Sequence, residues 1–280
     1  MKKQTLKILL VLLGLVSSVQ GKILETARFH EIAHHITRET LILMDIDDTL
    51  IVPAQMVGLD EWLNLRWKKH EADGMSKSVA LEKALAEWES VRHVTKMKTV
   101  EKETPTFIKD LQKKGHKIMG LTTQGLALAT RTVQQLQENS VDLSVTAPTA
   151  ADYYVNLSGH SVLFRKGILF TSGRNKGEAF FKFCDSIGLK PKKIVYIDDK
   201  ESQLASVEKE AVKRGIEYIG LRYAYADIHK GAFCPDVADF QFFHSNFAKL
   251  LSDEEAHVKI KERAIVNKSQ EELKPTQIPF

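Results

Sequence analysis

The sequence predicts an α/β domain in which a mainly parallel sheet is flanked by helices. Short, continuous apolar runs recur along the chain, as expected for strands that are buried on both faces of a parallel sheet. Amphipathic stretches with helical spacing separate these runs. The 280 residues, of which 43% are hydrophobic and 27% charged, suit one large domain or a core with a smaller subdomain. This composition excludes a wholly disordered, collagen-like or coiled-coil chain.

Residues 1–21 have the pattern of a secretory signal peptide. Three lysines within the first seven residues precede the apolar run Ile8–Val16, and a segment rich in small residues follows as far as Gly21. The apolar run is shorter than the ~18 residues that a membrane span needs. An uncleaved interfacial anchor is the alternative. Cleavage after Gly21 would give an exported protein, periplasmic or secreted, with no membrane partner.

Charge and cysteine content narrow the classes of partner. The formal net charge of +4 is small and includes three lysines of the N-terminal segment, so we expect no nucleic-acid partner. The two cysteines, Cys184 and Cys234, are too few for a disulfide scaffold or a four-cysteine zinc site. Whether they pair with each other is left open by the sequence.

Four apolar runs predict the strands of the core sheet. They are Leu41–Met44, Lys117–Leu121, Ile194–Ile197 and, more weakly, Glu217–Leu221. Helical spacing predicts helices before and between these runs, over Leu24–Thr37, Thr104–Lys114, Leu126–Asn139, Gly177–Ile187 and Glu201–Arg214. In parallel sheets ligands bind at the carboxyl ends of the strands. The residues that follow each run are therefore the candidate site.

Two insertions interrupt the alternation of strands and helices. The first insertion, residues 53–98, has helical spacing and contains three tryptophans. It divides the core into residues 22–52 and 99–280. In the second insertion, residues 152–173, Gly167 lies between two apolar runs and predicts a β-hairpin. The polar tail from Ser252 onward begins with a short helical stretch.

The first apolar run ends in Asp45-Ile46-Asp47-Asp48-Thr49-Leu50. Carboxylates at the end of a buried strand are costly unless something positive binds there, and a hard divalent cation such as Mg²⁺ would fit. One carboxylate could attack a phosphorus atom, and the carboxylate two residues further on could protonate the leaving group and then activate water. The alternative is an acidic turn or a helix cap.

Three further motifs follow in order. Thr122 and Thr123 end the second run, Lys176 opens a helix, and the acidic pair Asp198 and Asp199 ends the third run. Each is a weak signal alone, because threonines cap helices and most lysines are solvated. Together the four motifs supply a nucleophile, an acid/base, phosphate ligands and a metal site.

In this order the four motifs resemble those of the haloacid dehalogenase (HAD) superfamily of hydrolases, over about residues 40–223. The resemblance implies a Rossmann-like core, with Asp45 as the nucleophile and Asp47 as the general acid/base. It implies that Thr122 binds phosphate, with Thr123 as a shifted alternative, and that Lys176 is the stabilising lysine. The second acid of the first motif favours phosphoryl transfer, since dehalogenase members usually lack it.

The same resemblance implies a Mg²⁺ cofactor. Its ligands would be Asp45, the backbone carbonyl of Asp47, and the acids Asp198 and Asp199. Many members carry a further Asp or Asn where this chain has Gln203. This difference would change the side chains around the metal ligands but not the principal ligands themselves. Residues 53–98 stand where that superfamily has a helical C1 cap, and the hairpin stands at the C2 position.

Two phrases, residues 167–170 and residues 175–178, resemble a bacterial subgroup called DUF2608. From the four ordered motifs we expect a magnesium-dependent phosphatase that hydrolyses a small phosphomonoester through an aspartyl phosphate. Two alternatives stay open at the level of sequence. One is an exported binding or effector protein on the same fold, with little or very selective catalysis. The other is a phosphotransferase with an alcohol acceptor.

Overall fold

A computed structural model describes residues 21–245 and 250–272, and it confirms the α/β class. The strands are β1 (Lys22–Thr26), β2 (Thr40–Met44), β3 (Ile51–Pro53), β4 (Met97–Thr99), β5 (Lys117–Thr122), β6 (Tyr153–Leu157), β7 (His160–Arg165), β8 (Ile168–Phe170), β9 (Lys193–Asp198) and β10 (Glu217–Tyr223). The helices are α1 (Asp60–Ala72), α2 (Lys77–Val94), α3 (Thr104–Lys113), α4 (Ala129–Glu138), α5 (Lys176–Ile187), α6 (Glu201–Lys213), α7 (Asp227–Lys230), α8 (Pro235–His244) and α9 (Asp253–Glu272). Apart from Gly21, the predicted signal peptide lies outside the described residues.

The main sheet has the strand order β1-β10-β9-β2-β5-β8-β7-β6. Its pairings are parallel from β1 to β8, and β7 and β6 add antiparallel strands at one edge. Strand β2 is central and pairs with β9 on one side and β5 on the other. These three strands carry the first, second and fourth predicted motifs at their carboxyl ends, so the sheet brings those motifs together.

The two faces of the sheet explain why the predicted strands are continuous apolar runs. Leu41 and Leu43 of β2 belong to the hydrophobic cluster under α5 and α6, and Ile42 and Met44 belong to the cluster on the opposite face. All five residues of β2 are buried, as expected for a parallel strand covered on both sides.

The two cysteines, Cys184 and Cys234, are free thiols and do not pair with each other. No helix in the described part of the chain combines the length and the apolar character needed to cross a bilayer.

The helix predicted over Leu24–Thr37 is wrong. Residues 22–26 instead form β1, which pairs in parallel with β10 at the sheet edge, and a 3₁₀ helix follows over Phe29–His35. Phe29, Ile32 and Ile36 are among the apolar residues that suggested a helix; the first two are buried in the core, and Ile36 packs against it while partly exposed. The carboxylate of Glu101 accepts a hydrogen bond of 2.6 Å from the Phe29 backbone amide, which fixes this short helix against the sheet.

The hairpin expected around Gly167 is formed by β7 and β8, and Lys166 and Gly167 both adopt positive φ at its turn. It extends the main sheet, because β8 pairs in parallel with β5. A Cβ atom at Gly167 would lie 2.2 Å from the backbone oxygen of Leu143, so the turn needs glycine for space as well as for its φ angle.

Residues 53–98, which we call the cap segment, contain α1 and α2. The antiparallel strands β3 and β4 close its base, where Ile51 lies opposite Thr99. Helix α8 packs on the cap segment: Trp62 Nε1 donates to Asp239 Oδ1 at 3.1 Å, and the Val57 amide donates to Gln241 Oε1 at 3.1 Å. The cap segment is therefore fastened to the C-terminal part of the chain.

Helix α5 approaches α6 closely at Gly177. Asn175 caps α5 by accepting a hydrogen bond of 3.0 Å from the Glu178 amide, and Lys176 and Gly177 open the helix. A Cβ atom at residue 177 would lie 2.0 Å from the Ser206 backbone oxygen. Glycine is needed here for the two helices to meet.

We expect Gly177→Ala to lower the free energy of unfolding by about 1–3 kcal/mol, because the added methyl group forces α5 and α6 apart. Urea denaturation followed by circular dichroism measures this effect. Lys182→Ala, an exposed position of the same helix, is the matched control and should leave stability nearly unchanged. A Gly177→Ala protein as stable as the wild type would contradict the close contact.

Candidate active site

A cavity of about 120 Å³ lies at the carboxyl edge of the sheet, between the core and the cap segment. Four elements of the core form its floor, namely the end of β2, the end of β9, the loop after β5, and the start of α5. Helices α1 and α2 form its other wall. The lining residues include Asp45, Asp47, Asp60, Leu63, Leu85, Trp88, Glu89, Thr123, Gln124, Lys176, Asp198, Asp199, Lys200 and Gln203.

The centre of the site is the buried ammonium group of Lys176. Its Nζ lies 2.6 Å from Asp45 Oδ1, 2.7 Å from Asp198 Oδ2 and 2.9 Å from the hydroxyl of Tyr196. That hydroxyl also donates to Asp198 Oδ2. The amide of Asp45 donates to the Ile197 carbonyl at 2.9 Å, which fixes the first acid beside the end of β9. The structure thus brings together three of the sequence-predicted residues.

Charge in this cluster is only partly balanced. Burial raises the pKa of Asp45, the neighbouring carboxylates add to the effect, and Lys176 opposes it. Burial works against the charge of Lys176 as well, but Asp198 and Asp45 outweigh it and raise the pKa of Lys176. The lysine therefore stays cationic, and an ionised Asp45 calls for further positive charge nearby.

Asp47 is held by two residues that sequence reasoning missed. Arg92 of α2 makes an ion pair with Asp47 Oδ1, and Gln124 Nε2 donates to Asp47 Oδ2 at 2.7 Å. Gln124 is itself positioned by Thr132, whose hydroxyl donates to its Oε1 at 2.5 Å. Arg92 is 45 residues away in sequence and belongs to no motif, so only its place on a helix that covers the site could have suggested it.

The two threonines after β5 have different surroundings. Thr122 is buried, and its Oγ1 accepts a hydrogen bond of 3.1 Å from the Gln124 amide. Thr123 is exposed and lines the cavity. Thr123 is therefore at the cavity surface, whereas Thr122 shapes the turn beneath it.

The turn after Asp47 places the first motif. Asp48 adopts a left-handed conformation with φ of 58°, and its amide donates to the Ile51 carbonyl at 3.0 Å. This turn sends the chain back toward β3 and leaves the Asp48 side chain buried. Burial, reinforced by Asp60, Asp199 and Asp47, raises the pKa of Asp48 to about 8.

The carboxylates of Asp45, Asp198 and Asp199 could hold a metal ion, since each offers an oxygen within 4.8 Å of the other two. All three are buried. Burial raises the pKa of Asp199, and the neighbouring Asp198 adds to it. A buried set of oxygen donors with excess negative charge fits a hard cation such as Mg²⁺.

The two acids of the last motif, Asp198 and Asp199, differ in the hydrogen bonds that their carboxylates accept. Both oxygens of Asp198 accept hydrogen bonds, Oδ2 from Lys176 and Tyr196 and Oδ1 from the Lys200 amide at 2.8 Å. Asp199 Oδ2 accepts from Lys230 of α7 at 2.6 Å. Asp199 therefore has more freedom to bind a cation than Asp198, whose oxygens also position the lysine.

Fold and site together define an α/β protein with a buried, acidic cavity at the carboxyl edge of a parallel sheet. Within this class the chain belongs to the family described as "Protein of unknown function (DUF2608)", whose model matches residues 25–257. The membership predicted from the sequence is thereby confirmed.

Chlamydial proteins are among its relatives. It is 25% identical over 250 residues to a protein of Chlamydia trachomatis, with 88% of this chain and 93% of the relative covered. It is 27% identical over 251 residues to a protein of Chlamydia muridarum, with 89% and 94% covered. Both are named "Putative outer membrane protein". A crystal structure of a hydrolase from Pseudomonas syringae aligns with a TM-score of 0.39 and 14% identity, covering 68% of this chain and 97% of that one.

We expect Asp199→Asn to weaken Mg²⁺ binding by more than about tenfold, because the amide removes an anionic ligand from the cluster. Isothermal titration calorimetry measures the affinity directly. Asp185→Asn is the control, since Asp185 is exposed and pairs with Arg214 on the outside of α5 and α6. Equal affinities of wild type and Asp199→Asn would remove Asp199 from the ligand set.

The same titration should depend on pH. Because the pKa values of Asp45 and Asp199 are raised, protons compete with the cation at a higher pH than they do at ordinary carboxyl groups, which titrate near about 4. The affinity for Mg²⁺ should therefore begin to fall at a pH clearly above about 4 and fall further as the pH decreases. An affinity that stays constant until the pH reaches about 4 would contradict the raised pKa values.

Proposed function

We propose that the protein is a magnesium-dependent phosphatase that hydrolyses a small phosphomonoester through an aspartyl phosphate on Asp45. One observation carries this proposal. The ammonium group of Lys176 joins Asp45 to Asp198, with Asp199 alongside, on the wall of a cavity that also holds Asp47. A nucleophile, a fixed cation, a metal cluster and a second acid thus share one small space.

In the first step, a carboxylate oxygen of Asp45 attacks phosphorus, and the bond from phosphorus to the ester oxygen breaks. The carboxyl group of Asp47 gives its proton to the departing alcohol. Lys176 and the hydroxyl of Thr123 offset the charge on the phosphoryl oxygens. Mg²⁺ bound by Asp45, the Asp47 carbonyl, Asp198 and Asp199 would supply further positive charge to those oxygens.

In the second step, Asp47 accepts a proton from water, and the oxygen of that water attacks phosphorus. The bond from phosphorus to Asp45 breaks, which releases inorganic phosphate and restores the carboxylate. The net reaction converts a phosphomonoester and water into an alcohol and phosphate. Asp47 takes part in both steps, so the residues that hold it matter for catalysis.

Arg92 and Gln124 position Asp47. Both contact its carboxylate in the structure, one from the cap segment and one from the core. The acid must leave one of these partners, or exchange it for the substrate, before it can donate a proton. Arg92 therefore makes the orientation of the acid dependent on the position of helix α2.

The dimensions of the cavity favour small substrates. Its volume of about 120 Å³ suits a phosphoryl group with a short leaving group. Helix α8 holds the cap segment through Asp239 and Gln241, which leaves little room for a folded phosphoprotein at the site. We further propose that the protein is exported. The N-terminal segment and the name given to its chlamydial relatives support this location.

We expect the purified protein to release phosphate from p-nitrophenyl phosphate in the presence of Mg²⁺ and to stop when EDTA is added. Asp45→Asn should abolish release, because the amide is not a nucleophile. Asp185→Asn is the control at an exposed position. Phosphate release that persists in Asp45→Asn would exclude the proposed nucleophile. A wild type inactive on aryl and alkyl phosphates would favour a binding protein, and phosphorylated glycerol formed during turnover would indicate a phosphotransferase.

We expect Arg92→Met to lower kcat for an alkyl phosphate by about 10–100-fold, because a misplaced Asp47 no longer protonates the alkoxide. Turnover of p-nitrophenyl phosphate should fall less, since its leaving group departs without a proton. Arg92→Lys should recover part of the loss, and Arg214→Met serves as the surface control. Equal losses on both substrates would assign Arg92 a purely structural role.

A further inference from the structure

Glu89 lies on the cap side of the cavity, away from the Lys176 cluster that would bind the phosphoryl group. It belongs to α2 and lines the cavity next to Trp88. A Cβ atom at Gly125 would lie 3.0 Å from Glu89 Oε1, so the carboxylate leans over the loop that carries Thr123 and Gln124. A substrate with its phosphoryl group at Asp45 would direct its leaving group toward this wall.

Glu89 differs from the other acids of the cavity because it has no partner. Across residues 21–245 and 250–272, no hydrogen bond or ion pair involves its carboxylate. Its surroundings nevertheless desolvate it, since the side chain is half-buried and burial raises its pKa. A desolvated carboxylate that faces a cavity gains free energy from a cationic donor on a ligand.

The cations that line the cavity are already paired. Lys176 is bound to Asp45 and Asp198, and Lys200 Nζ lies 2.8 Å from Asp60 Oδ2. Although burial works against the charge of the half-buried Asp60, Lys200 holds its pKa below the usual value, as expected for an intact ion pair. A leaving group with a carboxylate or a second phosphate would therefore meet repulsion from Glu89 and no unpaired cation on this wall.

The remaining contacts on the cap side are apolar. Leu63 and Leu85 line the cavity with Trp88, and Leu85 is 37% exposed at its rim. These side chains suit a short hydrocarbon segment. Together with the small volume, they limit the leaving group to a few carbon atoms before the group that reaches Glu89.

We propose that Glu89 makes the site selective for phosphomonoesters of small amino alcohols, with the substrate ammonium group donating to its carboxylate. This inference rests on the proposed phosphatase function and adds the class of leaving group. Phosphoryl recognition then belongs to the core, and leaving-group recognition belongs to one residue of the cap segment.

The test uses three phosphomonoesters of similar size and different charge: O-phosphoethanolamine, propyl phosphate and phosphoglycolate. The first two differ by an ammonium group in place of a methyl group. The wild type should favour O-phosphoethanolamine over propyl phosphate by about tenfold in kcat/KM, as expected for one charge-assisted hydrogen bond, and phosphoglycolate should be the poorest substrate. Glu89→Gln should remove the preference by lowering kcat/KM for O-phosphoethanolamine to about the value for propyl phosphate.

Glu82→Gln is the matched control, because it makes the same change at an exposed position of α2, two turns away. It should keep the wild-type ratio. A wild-type ratio near one would overturn the proposal, and so would a ratio that Glu89→Gln does not alter. Loss of activity on all substrates in Glu89→Gln, with a normal melting temperature, would assign Glu89 a catalytic role instead.

A binding measurement separates this proposal from the phosphatase function itself. Calorimetric titration with O-phosphoethanolamine and propyl phosphate, in the presence of Mg²⁺, compares Asp45→Asn with the double variant Asp45→Asn/Glu89→Gln, neither of which should turn over the ligands. Tighter binding of the amine that disappears in the double variant supports the role of Glu89 even if the wild type releases no phosphate. Equal binding of both ligands by Asp45→Asn refutes it, whatever the activity.

Discussion

The site depends on the contact of one buried ammonium group with two buried carboxylates. Lys176 reaches Asp45 and Asp198 because β2 and β9 are neighbours in the sheet and because α5 starts directly above their ends. Removing the lysine would leave two buried carboxylates without their shared counter-ion, which is far more costly than removing an exposed ion pair. Gly177 lets α5 pack closely on α6, and Lys176 is the first residue of α5. The packing of these two helices therefore also fixes the position of the buried cation.

Helix α2 turns one face toward the site. Leu85, Trp88 and Glu89 line the cavity, and Arg92 follows Glu89 by three residues on the same face. Arg92 holds the second acid, and Glu89 lies above the loop after β5. Because α8 fastens the cap segment through Trp62, this face is fixed relative to the C-terminal helices. In the proposed function, orientation of the acid and selection of the leaving group would thus depend on the same helix.

Local signals in the sequence predicted the core of the fold and the residues around Lys176. A buried parallel strand needs a continuous apolar run, and an acid at its end stands out for that reason, as Asp45 and Asp198 do. Arg92 and Gln124 gave no such signal, since their importance comes from contacts with Asp47 across 45 and 77 residues. The different surroundings of Thr122 and Thr123 also needed the structure, because adjacent residues in extended chain point in opposite directions.

Charge around the proposed phosphoryl subsite would favour joint binding of metal and substrate. With Asp47 protonated, as its proposed role as general acid requires, Asp45, Asp198 and Asp199 supply three negative charges, and Lys176, Lys230 and Arg92 supply three positive charges. A divalent cation alone would leave the site with two positive charges, and a phosphoryl dianion alone would leave it with two negative charges. Bound together they cancel each other, so the buried site keeps the same net charge before and after loading. In a low-dielectric cavity such balance is worth more than any one contact, and it makes binding of the cation and of the phosphate mutually supportive.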